Sequence, residues 1–174
     1  MPSTGLEGDG TCPTSALKAV NSLRIRRVFD YWTTLRQGRQ FPAGPDIQLI
    51  DVYDVAPYVA VLDVERDDGV DTPVRMRYRF CGTWLVDARS NLSPSDPTGH
   101  FLDDVPWPFD PAPILAACDK VVHSGKLAFL GIGEVDEDSY HQHERCFFPL
   151  GNDAENVTQI IVCVDEVAPD DHLT

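Results

Sequence analysis

The sequence predicts an α+β fold, in which a five-stranded antiparallel sheet carries helices on one face and an amphipathic helix on or near the other. Four stretches rich in Val, Ile, Phe or Tyr, and a fifth that is more polar, recur between residues 58 and 166. Acidic turns at 66–71 and 136–139 separate successive stretches, as antiparallel hairpins require. A chain of 174 residues, 43% of them hydrophobic, suffices for one core.

An amphipathic helix is predicted within residues 16–40, with Thr14 or Ser15 as its N-cap and Gly38 just after its end. Residues 17–39 hold six cations and one acid, so this segment carries +5 and the remainder of the chain −19. The helix either forms a homodimer interface or covers its own domain, with its cations facing the domain's acids. The apolar residues at helical spacing are Leu17, Val20, Ile25, Val28, Phe29, Trp32 and Leu35, of which the last five are the candidate interface.

The remaining predicted elements are five strands, two helices and one short helical turn. A loop with one short helical turn near 50–55 precedes the first strand. In the second strand Val74, Met76, Tyr78 and Phe80 alternate with arginines, which predicts one core face. The last strand is apolar on both faces, so it should be central and covered on both sides. Strands are predicted at 58–65, 74–81, 127–135, 141–150 and 157–166, and helices at 83–89 and 111–124.

Five segments between Arg24 and Glu166 carry a family resemblance. They are YWTTLRQGRQFP (31–42), DIQLIDV (46–52), APYVAVLDV (56–64), MRYRFCGTWLV (76–86) and FFPLG (147–151). In order and spacing they resemble the single-domain PAS-like proteins common in alphaproteobacteria. The chain departs from that pattern at the polar insert 90–100 and at the proline-rich stretch 106–113, where PAS-like domains form their ligand pocket.

The resemblance implies a PAS fold at 41–167. Composition predicts a disordered tail at 1–15 before the helix at 16–40, and an acidic tail at 168–174. The resemblance also implies a bacterial sensory and signalling module that acts by contact with a protein partner, through a bound small ligand or without one, and not an enzyme. The candidate pocket residues are Tyr78, Phe80, Trp84 and Phe129, whose alternative role is plain core packing.

Two cofactors can be weighed against these residues. The segment TWLVDARSN lacks the Asn-Cys-Arg cysteine that a flavin photoadduct needs. A haem-bearing PAS domain uses an axial histidine on the helix before the third strand, and His123 lies near the end of that helix. A histidine at a helix end more often caps carbonyls or is solvated, so His123 is retained only as a candidate ligand residue.

Two alternatives belong to other functional classes. His141 and His143 share one face of a strand next to acidic residues, so a metal-dependent or metabolite-converting enzyme could centre on them. Cys146 has the opposite parity and should face away, which leaves the site without a third ligand. No G-x-S-x-G, H-E-x-x-H or phosphate-loop motif is present. The other alternative is a scaffold or dimerisation domain without a ligand.

Composition limits the partners and the compartment. With 28 acidic and 14 basic residues the net charge is −14, which disfavours nucleic acid as a partner. No apolar run approaches the roughly 20 residues of a membrane span. Five widely spaced cysteines without a C-x-x-C pair predict buried thiols in a reducing compartment. A cytoplasmic protein is therefore expected.

Overall fold

The computed structural model describes residues 20–66, 74–135, 140–153 and 155–167. Each helix and strand expected from the sequence is present in that part of the chain. The expected tails, residues 67–71 of the first acidic turn and the second acidic turn at 136–139 lie outside the described residues. The elements are α1 (Leu23–Arg36), β1 (Val59–Glu65), β2 (Arg75–Cys81), α2 (Thr83–Ala88), α3 (Ala112–Ser124), β3 (Ala128–Val135), β4 (Tyr140–Leu150) and β5 (Gln159–Val167).

The five strands form one antiparallel sheet in the order β2-β1-β5-β4-β3, which confirms the expected fold class and the central place of β5. Ile160 and Val162 face one side of β5, and Ile161 and Cys163 face the other. All four are at most 7% exposed. The sheet is therefore covered on an inner face, by α2 and α3, and on an outer face, by α1.

The helix α1 is shorter than expected. Its N-cap is Ser22, whose Oγ accepts a hydrogen bond from the Ile25 amide at 3.0 Å, so residues 20–22 precede the helix. The expected caps at Thr14 and Ser15 lie outside the described residues. At the other end Gln37 takes the left-handed conformation, with φ of 49°, and Gly38 follows with φ of 81°.

Two buried carboxylates hold the beginning of α1 on the outer face. Glu144 on β4 lies directly opposite Asp165 on β5, and their exposures are 0% and 5%. Glu144 accepts hydrogen bonds from the backbone amides of Asn21 at 3.0 Å and Ser22 at 2.8 Å. Asp165 accepts from Ser22 Oγ and from Arg24 Nη1, both at 2.7 Å. Carboxylate oxygens thus satisfy backbone donors that the helix itself leaves unpaired.

The C-terminal part of α1 is held on the sheet by the buried side chain of Trp32. Trp32 is 2% exposed, its Nε1 donates to the Pro149 carbonyl at 2.9 Å, and its ring lies 5.9 Å from that of Phe148. Arginines of the helical segment pair with acids of the domain, as Arg39 does with Asp46 at 2.7 Å. In this structure the helix therefore covers its own domain, which is one of the two alternatives that the sequence predicts.

A bulge changes the alternation expected for β2. Val61 pairs with Phe80 and Leu62 with Tyr78, so Arg79 is the additional residue in the register. Phe80 therefore lies on the outer face beside Val61, and its expected place with Met76 and Tyr78 was wrong. The arginines of β2 avoid the core as expected, and each pairs with a carboxylate: Arg75 with Asp103, Arg77 with Glu65, and Arg79 with Asp63.

Replacing Glu144 by Gln should lower the free energy of unfolding by about 2 kcal/mol, because an amide side chain sets an NH2 group against the backbone donors of Asn21 and Ser22. Urea denaturation followed by circular dichroism measures the change. The matched control is Glu155→Gln at an exposed position, with an expected change within about 0.5 kcal/mol. Equal small effects in both variants would contradict the assigned role of Glu144.

Candidate functional site

A cavity of about 220 Å³ lies between the inner face of the sheet and α2. Its floor is apolar and comes from three strands, with Ala60 and Leu62 on β1, Tyr78 on β2, and Val162 and Val164 on β5. These residues are neighbours in the register, so the alternation of each strand brings them to one face. The sheet thus supplies a rigid apolar surface on which a site can be built.

The walls of the cavity are aromatic. Trp84 on α2 lies against Tyr58, with ring centroids 5.0 Å apart. Trp107 and Phe109 come from the proline-rich stretch before α3, with their rings 5.5 Å apart. The indole Nε1 of Trp107 donates to the Leu102 carbonyl at 3.1 Å, which fixes the orientation of that ring.

One cation is built into the wall at the C-cap of α2. Arg89 is 8% exposed, and its Nε and Nη2 donate to the carbonyls of Ser95 at 3.2 Å and Pro106 at 3.1 Å. Its guanidinium carbon lies 5.5 Å from the centre of the Trp107 ring. Arg89 therefore ties the polar insert and the proline-rich stretch to the end of α2.

β4 adds two polar side chains to the same cavity. His143 and Arg145 alternate with Glu144 and Cys146, so they line the cavity while the latter two face α1. Arg145 is 6% exposed, and its guanidinium carbon lies 5.2 Å from the centre of the Phe109 ring. The cavity therefore combines aromatic walls with two nearly buried guanidinium groups.

Tyr78 and Cys81, which also line the cavity, stay neutral at pH 7. Burial raises the pKa of the Tyr78 hydroxyl well above its usual range, and it raises the pKa of the Cys81 thiol to about 12. A neutral thiol is a poor nucleophile. The ring hydroxyl of Tyr78 remains a hydrogen-bond donor at neutral pH.

Of the four candidate pocket residues and His123, two line the cavity, namely Tyr78 and Trp84. Phe80 lines an open outer groove of about 590 Å³ beside Val61. Phe129 pairs with Cys146 and so shares the outer face with it. His123 points away from the cavity: it is largely exposed at the end of α3, and its Nδ1 lies 2.8 Å from the Asp119 carbonyl. An axial haem ligand at His123 is therefore not at the cavity.

The sequence analysis did not identify several cavity residues, among them the aromatic and cationic side chains of Arg89, Trp107, Phe109 and Arg145. The signal for Trp107 and Phe109 was present, because two aromatic residues interrupt a proline-rich stretch that departs from the family pattern. Arg145 could have been placed from the parity of β4, which it shares with His143. Arg89 carried no comparable signal, since an arginine that follows a short helix is ordinarily exposed.

The expected opposite parity of His143 and Cys146 is confirmed. His143 faces the cavity and Cys146 the outer face, while the side chain of His141 lies outside the described part of the structure. Within the described ranges no three His, Cys, Asp or Glu side chains come close enough together to hold a metal ion. Likewise, none of the helices in those ranges has both the length and the apolar character to cross a membrane.

No family model and no curated protein matches the chain. Similar solved structures include a point variant of the LOV protein RsLOV, at 7% identity and a TM-score of 0.44, covering 73% of each chain. Another is a LOV protein of Rhodobacter sphaeroides, at 9% identity and a TM-score of 0.44, covering 72% of this chain and 71% of the other. At these values no residue role or ligand passes from those proteins to this one.

Thiol labelling should find every described cysteine inert in the native state, because burial raises the pKa of Cys81, Cys118, Cys146 and Cys163. At about pH 8 the Cys12→Ser variant should react with Ellman's reagent at least about 100-fold more slowly when native than when unfolded in guanidinium chloride. A fast native thiol that peptide mapping assigns to Cys81 would instead identify an activated nucleophile in the cavity wall.

Proposed function

We propose that the chain is a PAS-like sensory module that binds a small ligand in the cavity between the sheet and α2, and that it signals by contact with another protein. The observation that carries this proposal is the cavity itself, in which an apolar sheet floor meets aromatic walls and a nearly buried guanidinium. Concave apolar sites with a few placed polar groups are the usual form of ligand pockets.

The volume limits the ligand to one small ring system. At about 220 Å³ the cavity lies below the roughly 300–1,000 Å³ of most ligand sites. It exceeds the roughly 150 Å³ of an apolar cavity that accommodates benzene. A substituted single ring or a small fused ring is therefore the proposed size. His123, the candidate axial ligand of haem, lies outside the cavity, and the TWLVDARSN segment has no cysteine for a flavin photoadduct.

Two parts of the fold support a link from ligand to partner. Arg89 joins α2 to both segments that close the cavity, so a ligand contacting any of the three can affect the others.

On the opposite side of the molecule, large apolar side chains are exposed at Leu23 (79%), Ile50 (73%) and Tyr53 (73%). Arg27, one turn after Leu23, donates to the Asp51 carbonyl at 2.8 Å, which brings Leu23 near the short 3₁₀ turn that holds Ile50. This surface is the proposed partner contact.

Homodimerisation through Ile25, Val28, Phe29, Trp32 and Leu35 stays a prediction. The first four are at most 7% exposed, because they pack on the chain's own sheet. A dimer through them requires each α1 to pack on the sheet of the other copy, as in domain exchange. Sedimentation velocity tests this prediction, and a single monomeric species at all concentrations would contradict it.

Filling the cavity should abolish ligand binding without unfolding the protein. Wild-type protein, incubated with toluene, phenol or benzoate at about ten times the dissociation constant, should melt about 3–5 °C higher for at least one of the three. The variant Ala60→Leu places a larger side chain on the floor and should lose that shift. The control Ala116→Leu, on the exposed side of α3, should keep it.

Native mass spectrometry of the protein from its own host provides the second measurement, since a resident ligand would appear as an added mass. The proposal is contradicted if no probe raises the melting temperature and the purified protein carries no added mass. It is also contradicted if Ala60→Leu, with an unchanged circular dichroism spectrum, retains the full shift.

A further inference from the structure

We propose that the cavity selects a small aromatic carboxylate, and that the guanidinium of Arg89 binds its carboxylate group. This inference rests on the proposed function, because it names the chemical class of ligand for the same cavity. It begins from the charge of the cavity, which is opposite in sign to the net charge of −14 of the chain. The lining includes Arg89 and Arg145 and no aspartate or glutamate.

Arg89 is the decisive group because its partners in the protein are neutral. Its hydrogen bonds go to the carbonyls of Ser95 and Pro106, and within the described residues no carboxylate lies within ion-pair distance of it. A cation that is 8% exposed loses most of its hydration, and neutral carbonyls offset that cost only in part. An anionic ligand would supply the missing counter-charge.

The donors of Arg89 leave room for such a ligand. Nε and one hydrogen of Nη2 are engaged, whereas Nη1 makes no hydrogen bond to the described residues. The edge of the guanidinium formed by Nη1 and Nη2 therefore keeps donors that the described residues do not use. That pair of nitrogens matches the spacing of the two oxygens of a carboxylate, which it can bind with two parallel hydrogen bonds.

The rest of the cavity favours an aromatic body for the ligand. The Trp107 ring lies 5.5 Å from the guanidinium carbon of Arg89 and 5.5 Å from the Phe109 ring, so a planar group next to the carboxylate would contact aromatic surfaces. Leu62 and Val162 supply a flat apolar floor. With about 220 Å³ available, the fitting class runs from benzoate to an indole carboxylate.

The test compares two matched pairs of probes, each an acid and its neutral amide of nearly the same shape: benzoate with benzamide, and indole-3-carboxylate with indole-3-carboxamide. Isothermal titration calorimetry measures all four affinities, because the indole probes absorb and emit in the same range as Trp84 and Trp107, which line the cavity. For the wild-type protein the acid of at least one pair should bind at least about tenfold more tightly than its amide. This comparison needs no variant, so it does not depend on the folding of any substitution.

Variants then assign the preference to one side chain. Arg89→Gln should reduce the ratio of acid to amide affinity to about one, and Arg89→Lys should retain part of it, because lysine keeps the charge and loses the paired donors. The matched control is Arg79→Gln, on the outer face and paired with Asp63, which should leave the ratio unchanged. Amides that bind as tightly as the acids would overturn this inference and leave the proposed function standing. If neither acids nor amides bind, and toluene and phenol fail as well, both are overturned.

Discussion

The architecture depends on the burial of both faces of one strand. β5 is central, and Ile160, Ile161, Val162 and Cys163 are all nearly inaccessible to solvent. Each such side chain contributes about 1.5–3 kcal/mol only while it is covered, so a single layer of helices is insufficient. The two internal helices cover one face, and α1 must cover the other. The cavity lies on the inner face of the sheet, and the packing of α1 lies on the outer face.

The layer on the outer face, α1, and the layer on the inner face, which includes α2, are held on the sheet by different interactions. The two layers therefore have different roles. On the outer face the carboxylates of Glu144 and Asp165 bind residues at the beginning of α1, and Trp32 anchors its last turns. The helix is therefore held by hydrogen bonds to carboxylates as well as by packing. On the inner face α2 and the segments around it leave a void of about 220 Å³. The outer layer is a closed contact, whereas the inner layer retains room for a second molecule.

The sequence was sufficient for the fold because each element carries a local pattern. The two-sided apolar character of β5 gave its central position, and the spacing of Ile25, Val28, Phe29 and Trp32 gave the buried face of α1. Phe80 was misplaced because a bulge between Val61 and Leu62 shifts its parity, and a pattern of period two cannot show an additional residue. The cavity was harder to predict, since Arg89 and Trp107 lie on segments without periodicity. Only tertiary structure brings them together.

The contact between Glu144 and α1 has a consequence for how the chain can vary. The carboxylate binds the backbone amides of Asn21 and Ser22, which almost any residue would supply. The Asn21 side chain adds one further bond, from Nδ2 to Glu144 at 3.1 Å, so a substitution there loses that bond and keeps the backbone contact. Proline at either position would remove a backbone donor. At position 22 the side chain is also fixed, because Ser22 Oγ caps the helix and donates to Asp165. The identity of the carboxylate on β4 is consequently under stricter constraint than the side chain at position 21.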